Sequence, residues 1–483
     1  MKRPDFVLPS SDDAVVAEST EVIGGAPGRW ARIGRGVWTP LRVLVLIATG
    51  AYLIGYLLDL SCRADGWISP QNYEHLCYTD IAPLYSLRGF ADGLIPYLQP
   101  MADGQHLEYP VLTGVFMWIA ALIAKPWAAV TNVATSTAFF DVNVVLLFIA
   151  FLATVIATAL TVKRRPWDAA LVALAPTMIL GATINWDLIP LALIGFALLA
   201  WSRRYPFAAG LLLGLAVAAK FYPVLLLGGF LLLSLRSGRW RAFAALVGGT
   251  ALAWLAVNLP FMLANSEGWS YFYRFSSERG EDFGSLWYAL NIGGIVTVPA
   301  ESLNVMATGL FVLLCVGIAA LVLTAKRRPR LAAVLFLIIA AFVLTNKVYS
   351  PQYSLWLIPL AVMARPRWSS FLVWQAGEVI YFVAIWWYLA GYGVDDAQTL
   401  GGPEYAVAIL IRMLATVYFV VLVIQDMLAP EYDPVRTDGE PEDEDDPGGG
   451  VYDHAPDRFT LRRSNGRWCW LSSVPRWRRT GTS

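Results

Sequence analysis

The sequence predicts an all-α polytopic membrane protein, and three observations predict it. Of its 483 residues, 57% are hydrophobic and only 15% are charged, against roughly 25% charged in soluble domains. The apolar residues fall in long blocks, many of them near the length a helix needs to cross a bilayer. The basic residues gather in short clusters between those blocks, and a dense acidic run lies near the C-terminus. Lys and Arg together number 36, as do Asp and Glu, so net charge points to no nucleic-acid partner, and none is expected.

Residues 1–40 carry no early short apolar stretch of the kind found in a cleaved signal. They hold a Gly24–Gly28 linker and Arg29, Arg32 and Arg35, and read as a disordered cytoplasmic segment. Leu41–Leu60 reads as a retained signal anchor with its N-terminal end in the cytoplasm by the positive-inside rule. The next fifty residues or so, 61–110, then form a large first external loop. Cys62 and Cys77 share that loop; a bridge there would constrain it by ~3 kcal/mol in an oxidising compartment, and two free thiols are the plainer alternative.

Further apolar blocks between about 111 and 428 bring the expectation to about 11–13 transmembrane helices. The clusters Lys163–Arg165, Arg203–Arg204, Arg236–Arg241, Lys326–Arg330 and Arg365–Arg367 fit one side of the membrane. The count fails in one place. An external loop ending at 110 and a cytoplasmic Lys163 need an odd number of crossings between them, yet two blocks are visible, so either a short extra crossing or a re-entrant block is required. Residues 41–428 form the transmembrane domain, and 429–483 read as a disordered cytoplasmic tail, first acidic and then basic and aromatic. In that last part Arg462, Arg463, Arg467, Trp468, Trp470, Arg476, Trp477, Arg478 and Arg479 suit contact with anionic lipid headgroups.

Ionisable groups at a membrane edge are costly and are functional candidates by default. Asp80, Glu108, Asp187, Lys220, Arg274, Arg279 and Lys347 all fall on the external side of this assignment. Such a gathering at one mouth suits a reaction at an interface better than a conduction path through the bilayer. Plainer roles stand beside each: a solvated Asp80, a Glu108 that caps the helix after Pro110, a snorkelling Lys220. The aromatics Trp287, Tyr288, Trp386, Trp387 and Tyr388 suit sugar stacking or an interfacial belt. No metal site is expected, since His75, His106 and His454 show no ligand spacing, although Asp80, Asp103 and Glu108 would be the carboxylates to hold a divalent ion. No nucleotide-binding glycine motif is present.

Tyr78-Thr79-Asp80-Ile81, Leu84-Tyr85, Arg88-Gly89, Gly93 through Tyr97, and Glu108-Tyr109-Pro110-Val111-Leu112 together resemble the first external loop of family 87 glycosyltransferases. The resemblance continues in Asn185-Trp186-Asp187 and in Lys220-Phe221-Tyr222-Pro223. It departs where that family often has Asn-Gly-Gln, and where Phe221 replaces the usual proline. It implies an actinobacterial GT-C fold enzyme that transfers a hexose, mannose first among the candidates, from a polyprenyl phosphate to a lipid or glycan acceptor, with inversion. It further implies Asp80 as general base. The donor phosphate would fall to Lys220, with Lys347, Arg274 and Arg279 behind it, and sugar or acceptor contacts to Glu108, Tyr109, Tyr85, Arg88, Asn185 and Asp187. A transporter or flippase of lipid-linked sugars is the alternative; it calls for repeated halves, which the sequence does not display.

Overall fold

The computed structural model describes residues 6–10, 12–22, 37–392, 399–437, 445–464 and 467–472, with side chains from Arg462 onward outside that description. The Gly24–Gly28 linker, Arg29, Arg32, Arg35, residues 440–444 of the acidic run and the basic and aromatic side chains of the tail therefore lie outside the described residues.

The chain is built almost wholly of helices. A short α1 (Ala14–Val22) precedes α2 (Pro40–Asp65), where Pro40 takes the first helical position and the Thr39 hydroxyl accepts from the Arg42 N–H. The 61–110 loop contains α3 (Gln71–Glu74) and α4 (Ile81–Leu87). After it come α5 (Val111–Thr131) and α6 (Thr135–Thr161). The next pass is broken into α7 (Ala169–Ala173) and α8 (Pro176–Gly181), because Pro176 cannot continue the helix before it. Then follow α9 (Leu188–Ser202), α10 (Pro206–Ala219), α11 (Leu226–Ser237) and α12 (Trp240–Ala264). Two helices, α13 (Ser266–Glu278) and α14 (Leu286–Ile292), interrupt the bundle. It resumes with α15 (Ala300–Thr324), α16 (Leu331–Thr345), α17 (Ser354–Ala364), α18 (Trp368–Ala390) and α19 (Gly402–Leu428). A single turn, α20 (Pro434–Thr437), and an antiparallel hairpin of β1 (Phe459–Ser464) and β2 (Arg467–Ser472) complete the described chain, with Phe459 opposite Ser472. Among the described residues, 7 helices are long and apolar enough to cross a membrane, and shorter apolar helices of 10–17 residues stand among them. The protein is an all-α polytopic membrane protein.

The helix ends define two faces. On one, the site face, Arg63 in the last turn of α2 is bonded to Asp141 at 2.7 Å, and the Asn265 amide after α12 donates to the Tyr97 carbonyl in the loop. On the other, the basic clusters collect: Arg165, Arg236, Arg328, Arg330 and Arg365 all meet partners from 426–457 or their own turn. This gathering matches the sidedness expected from the sequence.

The contacts of α5 bear on the crossing problem. Although it is long and apolar enough to span, it begins at Pro110, whose carbonyl accepts from Tyr97, and the amine of its Lys125 lies against Gly93 of the same loop. The start of α6 is also on this face, where Phe139 packs on Tyr85 and Phe140 on Trp67. The start of α5 and the amine of its Lys125 thus both lie beside the loop, an arrangement compatible with the odd number of crossings that the charge pattern calls for.

The tail differs from its expectation. Residues 445–458 pack against the helix ends in place of disorder: the Asp446 carboxylate accepts from the Leu331 N–H, Tyr452 is buried against Trp201 and Ser234, and Arg236 pairs with Asp457 at 2.7 Å. The cause is electrostatic. Guanidinium groups at the helix ends need counter-ions, and the acidic tail supplies them. At the N-terminus Asp13 likewise accepts from the Ser369 N–H and hydroxyl. Cys62 and Cys77 form a disulfide that ties the end of α2 to the loop.

Candidate active site

Asp80 opens α4 at the position where an Asp ordinarily caps a helix, yet its side chain makes no cap bond. Its carboxylate turns instead to two donors, the Tyr78 hydroxyl at 2.7 Å and the Asn185 amide at 2.8 Å. The backbone fixes that meeting: the Asp80 N–H donates to the Ile184 carbonyl at 2.9 Å and the Thr79 hydroxyl to the Thr183 carbonyl at 2.7 Å. The loop is thereby laced to the turn before α9. Asn185 also reaches the Tyr109 hydroxyl, at 2.9 Å.

Asp80 looks into a cavity of about 800 Å³. Lys220, Lys347, Arg279, Glu108, Tyr109 and Asn185 line it too, so seven of the candidate residues, drawn from six separate stretches of chain, meet in one space. Four do not line it. Tyr85 is buried against Phe139. Arg88 stands behind Glu108 and grips both its carboxylate oxygens at 2.6–2.8 Å. Asp187 is 1% exposed and accepts from Trp356 at 2.6 Å and from Lys220 at 2.8 Å, so it serves Lys220 as a counter-ion. Arg274 is solvent-facing, with Glu267 its nearest carboxylate at 3.9 Å.

The charges of the cavity are not balanced one for one. Lys220 has Asp187, Arg279 has Asp282 at 2.9 Å, and Glu108 has Arg88. Among the described residues, Asp80 and Lys347 have no ion partner. The Lys347 amine donates to the carbonyls of Ser277 and Arg279, which orient it without neutralising it. Burial, and then the Arg279 charge, lower its pKa from the usual lysine value. Burial pushes the Asp80 carboxyl up; the bonds from Tyr78 and Asn185 and the charge of Lys220 pull it partly back, and Asp187 adds to the rise. Both groups are therefore held in a state that an incoming opposite charge or proton donor would relieve.

Sequence reasoning missed several wall residues. Asp282, Tyr73, Gln352 and Tyr353 line the cavity. Tyr353 and Tyr222 sandwich Trp356 at 3.7 and 3.9 Å between centroids, and this pile underlies Lys220. Tyr222 follows Lys220 by two residues, whereas Tyr353 and Trp356 lie six and nine residues after Lys347, so the nearness of each to a lysine in sequence was the available signal. Tyr78 stacks on Trp386 at 4.6 Å. Of the five aromatics considered for sugar stacking, only Trp386 lines the cavity; Trp287 donates to the Thr345 carbonyl, Tyr288 and Tyr388 bond to each other, and Trp387 is exposed. Helix α13 closes one side with Phe272 and Phe275. No group of three or more His, Cys, Asp or Glu side chains able to hold a metal occurs among the described residues.

The sequence model of glycosyltransferase family 87 matches residues 109–345. The match includes Tyr109, Asn185, Lys220 and Arg279, and stops short of Asp80 and Lys347. No curated protein matches the chain.

Proposed function

We propose that this chain is an integral-membrane glycosyltransferase of the GT-C type. It transfers a hexose, mannose being the first to test, from a polyprenyl phosphate to a lipid or glycan acceptor of the cell envelope. The observation that carries this reading is the shared cavity, which brings an unpaired carboxylate and an unpaired ammonium, Asp80 and Lys347, to one space beside Lys220 and Arg279. The family match over 109–345 supports the reaction class.

In the proposed reaction an acceptor hydroxyl approaches Asp80. As its oxygen bonds to the anomeric carbon from the face opposite the phosphate, Asp80 takes the hydroxyl proton, and the anomeric carbon–oxygen bond to the phosphate breaks with its electron pair on the leaving phosphate. The configuration inverts. A raised pKa makes Asp80 a stronger base than an ordinary carboxylate, and Asn185 and Tyr78 hold it in aim. Lys347 receives the charge returning to the phosphate, with Lys220 and Arg279 beside it. Glu108, Tyr109 and Asn185 contact sugar or acceptor hydroxyls, and Arg88 steadies Glu108 from behind. The apolar sides supplied by Phe272, Phe275 and Phe342 take the first isoprenoid units.

The outer side of the plasma membrane is the proposed location of the site face. The positive-inside rule assigns the basic face to the cytoplasm, and a disulfide in the 61–110 loop suits an oxidising compartment.

The test is sugar transfer in membranes that overproduce the chain, given radiolabelled polyprenyl-phosphate mannose and native lipid acceptors, with Asp80→Asn alongside. A mannosylated product that the variant fails to make is the expected result. Retained transfer by Asp80→Asn would remove Asp80 from the mechanism, and a product made only from another polyprenyl-phosphate sugar would replace mannose.

A further inference from the structure

The Arg412 and Glu378 side chains are buried within α19 and α18 and are bonded at 2.8 Å. Both lie well inside membrane-spanning helices, where an ionised group persists only when something requires it. Neutralisation alone would be met by the one contact with Glu378. The guanidinium does more: it donates to the carbonyls of Tyr349 at 2.6 Å and Ser350 at 3.1 Å. The rings of Tyr349 and Tyr381 stand 3.4 and 4.1 Å from its carbon. Glu378 in turn accepts from the Tyr349 hydroxyl at 3.0 Å and from Trp374 at 3.2 Å. Much of this buried charge network therefore converges on one short stretch, 346–353.

That stretch is the break between α16 and α17. Pro351 opens a short turn, Pro351–Tyr353, that leads into α17, and there the Ser350 carbonyl accepts from the Tyr353 N–H at 3.0 Å; the Tyr349 carbonyl, one residue earlier, takes its hydrogen bond from the Arg412 guanidinium. The break carries Lys347, Ser350, Gln352 and Tyr353, all of which line the cavity. From the cavity side, Ser350 donates to Asp282 at 2.9 Å and the Asp282 N–H donates to the Lys347 carbonyl at 2.8 Å. Gly284 completes the seat, since a Cβ there would overlap the Tyr349 carbonyl oxygen and the Tyr381 hydroxyl. The stretch is strung between Arg412 behind it and Asp282 in front.

We propose that Arg412 is a positioning residue for donor binding: its guanidinium fork fixes the Tyr349–Ser350 backbone, and through it the place of the Lys347 ammonium in the cavity. This rests on the reading of Lys347 as the donor-phosphate ligand. A planar fork reaches two carbonyls and a carboxylate at once, which a lysine ammonium on a flexible stem does not reproduce. At the other end of α17 the same chemistry recurs beside a pocket of only about 20 Å³. Arg330 donates to the carbonyls of Met363 and Ala364 and pairs with Asp433. Arg330 therefore supplies a matched control.

The experiment measures kcat, donor KM and acceptor KM for the full chain in lipid nanodiscs, as wild type, Arg412→Lys and Arg330→Lys. Loss of one charge-assisted bond to a backbone carbonyl should raise the donor KM of Arg412→Lys by about tenfold, with kcat and acceptor KM within about twofold. Arg330→Lys should lower the Tm and leave both KM values alone. Glu378→Gln, which loosens the fork but keeps its shape, should move donor KM in the same direction by about threefold and serves if Arg412→Lys fails to assemble. The proposal is overturned if Arg412→Lys behaves as Arg330→Lys does, or if it raises donor and acceptor KM equally. If the wild type transfers no polyprenyl-phosphate sugar, the enzymatic reading falls separately. Positioning is then read from Asn346→Cys in a Cys315→Ala, Cys469→Ala background: a negatively charged thiosulfonate, drawn to position 346 by the adjacent Lys347 ammonium, should label it at least about tenfold more slowly relative to a neutral thiosulfonate when Arg412→Lys is added, and an equal ratio overturns the proposal.

Discussion

The two faces of this molecule are both rich in charge, and they use it differently. On the basic face Arg330 meets Asp433, Arg365 meets Asp426, Arg236 meets Asp457 and Arg436 meets Asp445, and a described pocket there is about 20 Å³. On the site face the cavity is about 800 Å³, and Asp80 and Lys347 face it without an ion partner among the described residues. Paired, closely packed charges hold helix ends together. Charges left without a counter-ion beside open space are available to a ligand of opposite charge. Charge density alone does not separate structure from function; the state of its pairing does.

The largest effect should come from Asp80→Asn. Loss of the general base should lower transfer by about 10²–10⁴-fold, the usual worth of such a group, with the Tm of the purified protein close to wild type because Asp80 caps no helix. Lys347→Met should follow. Removing the cavity cation that has no carboxylate partner among the described residues should raise donor KM by about 10–100-fold. Lys220→Met should do less to donor KM and more to stability, because it strands the buried Asp187. If Lys220→Met proves the more damaging to donor binding, the pairing criterion has failed.

Tyr78→Phe tests the Asp80 environment through pH. The Tyr78 hydroxyl favours the ionised carboxylate, so its removal raises the Asp80 pKa further. More acid form then persists at a given pH, and the acid limb of the kcat/KM profile should move to higher pH. A shift to lower pH would contradict the assigned bond. The smallest effect on chemistry belongs to the other face. Arg330→Met strands the buried Asp433 and should cost about 3–5 kcal/mol of stability, while transfer per folded molecule, measured after size exclusion, should stay within about twofold.

Much of the fold was legible because hydropathy is local. The apolar blocks gave helices, and the basic clusters gave one face. The failure between 111 and 162 was instructive, since α5 satisfies every compositional test for a span and yet has both its start and the amine of Lys125 beside the same loop. Composition reports what a helix tolerates around it, and only its contacts report where its ends lie. Asp80 was likewise legible from Tyr78-Thr79-Asp80 and its neighbours. Asp282 was not, for it lies in an unremarkable Glu-Asp-Phe stretch and gains meaning only when Lys347, 65 positions on, lends its carbonyl to the Asp282 N–H.

By itself, then, the sequence determined a membrane-embedded helical protein, a polar loop after the first span, one basic face and a short roster of ionisable candidates. These follow from residue type and neighbours along the chain. The tertiary structure decided which candidates share a cavity, that Asp187 is committed to Lys220 and Glu108 to Arg88, that Lys347 is left open, and that the acidic tail closes the basic face. The physical reason is one of range. Hydrophobic transfer acts residue by residue, whereas ion pairing is settled over a few ångströms between groups that helix packing brings together from distant parts of the chain.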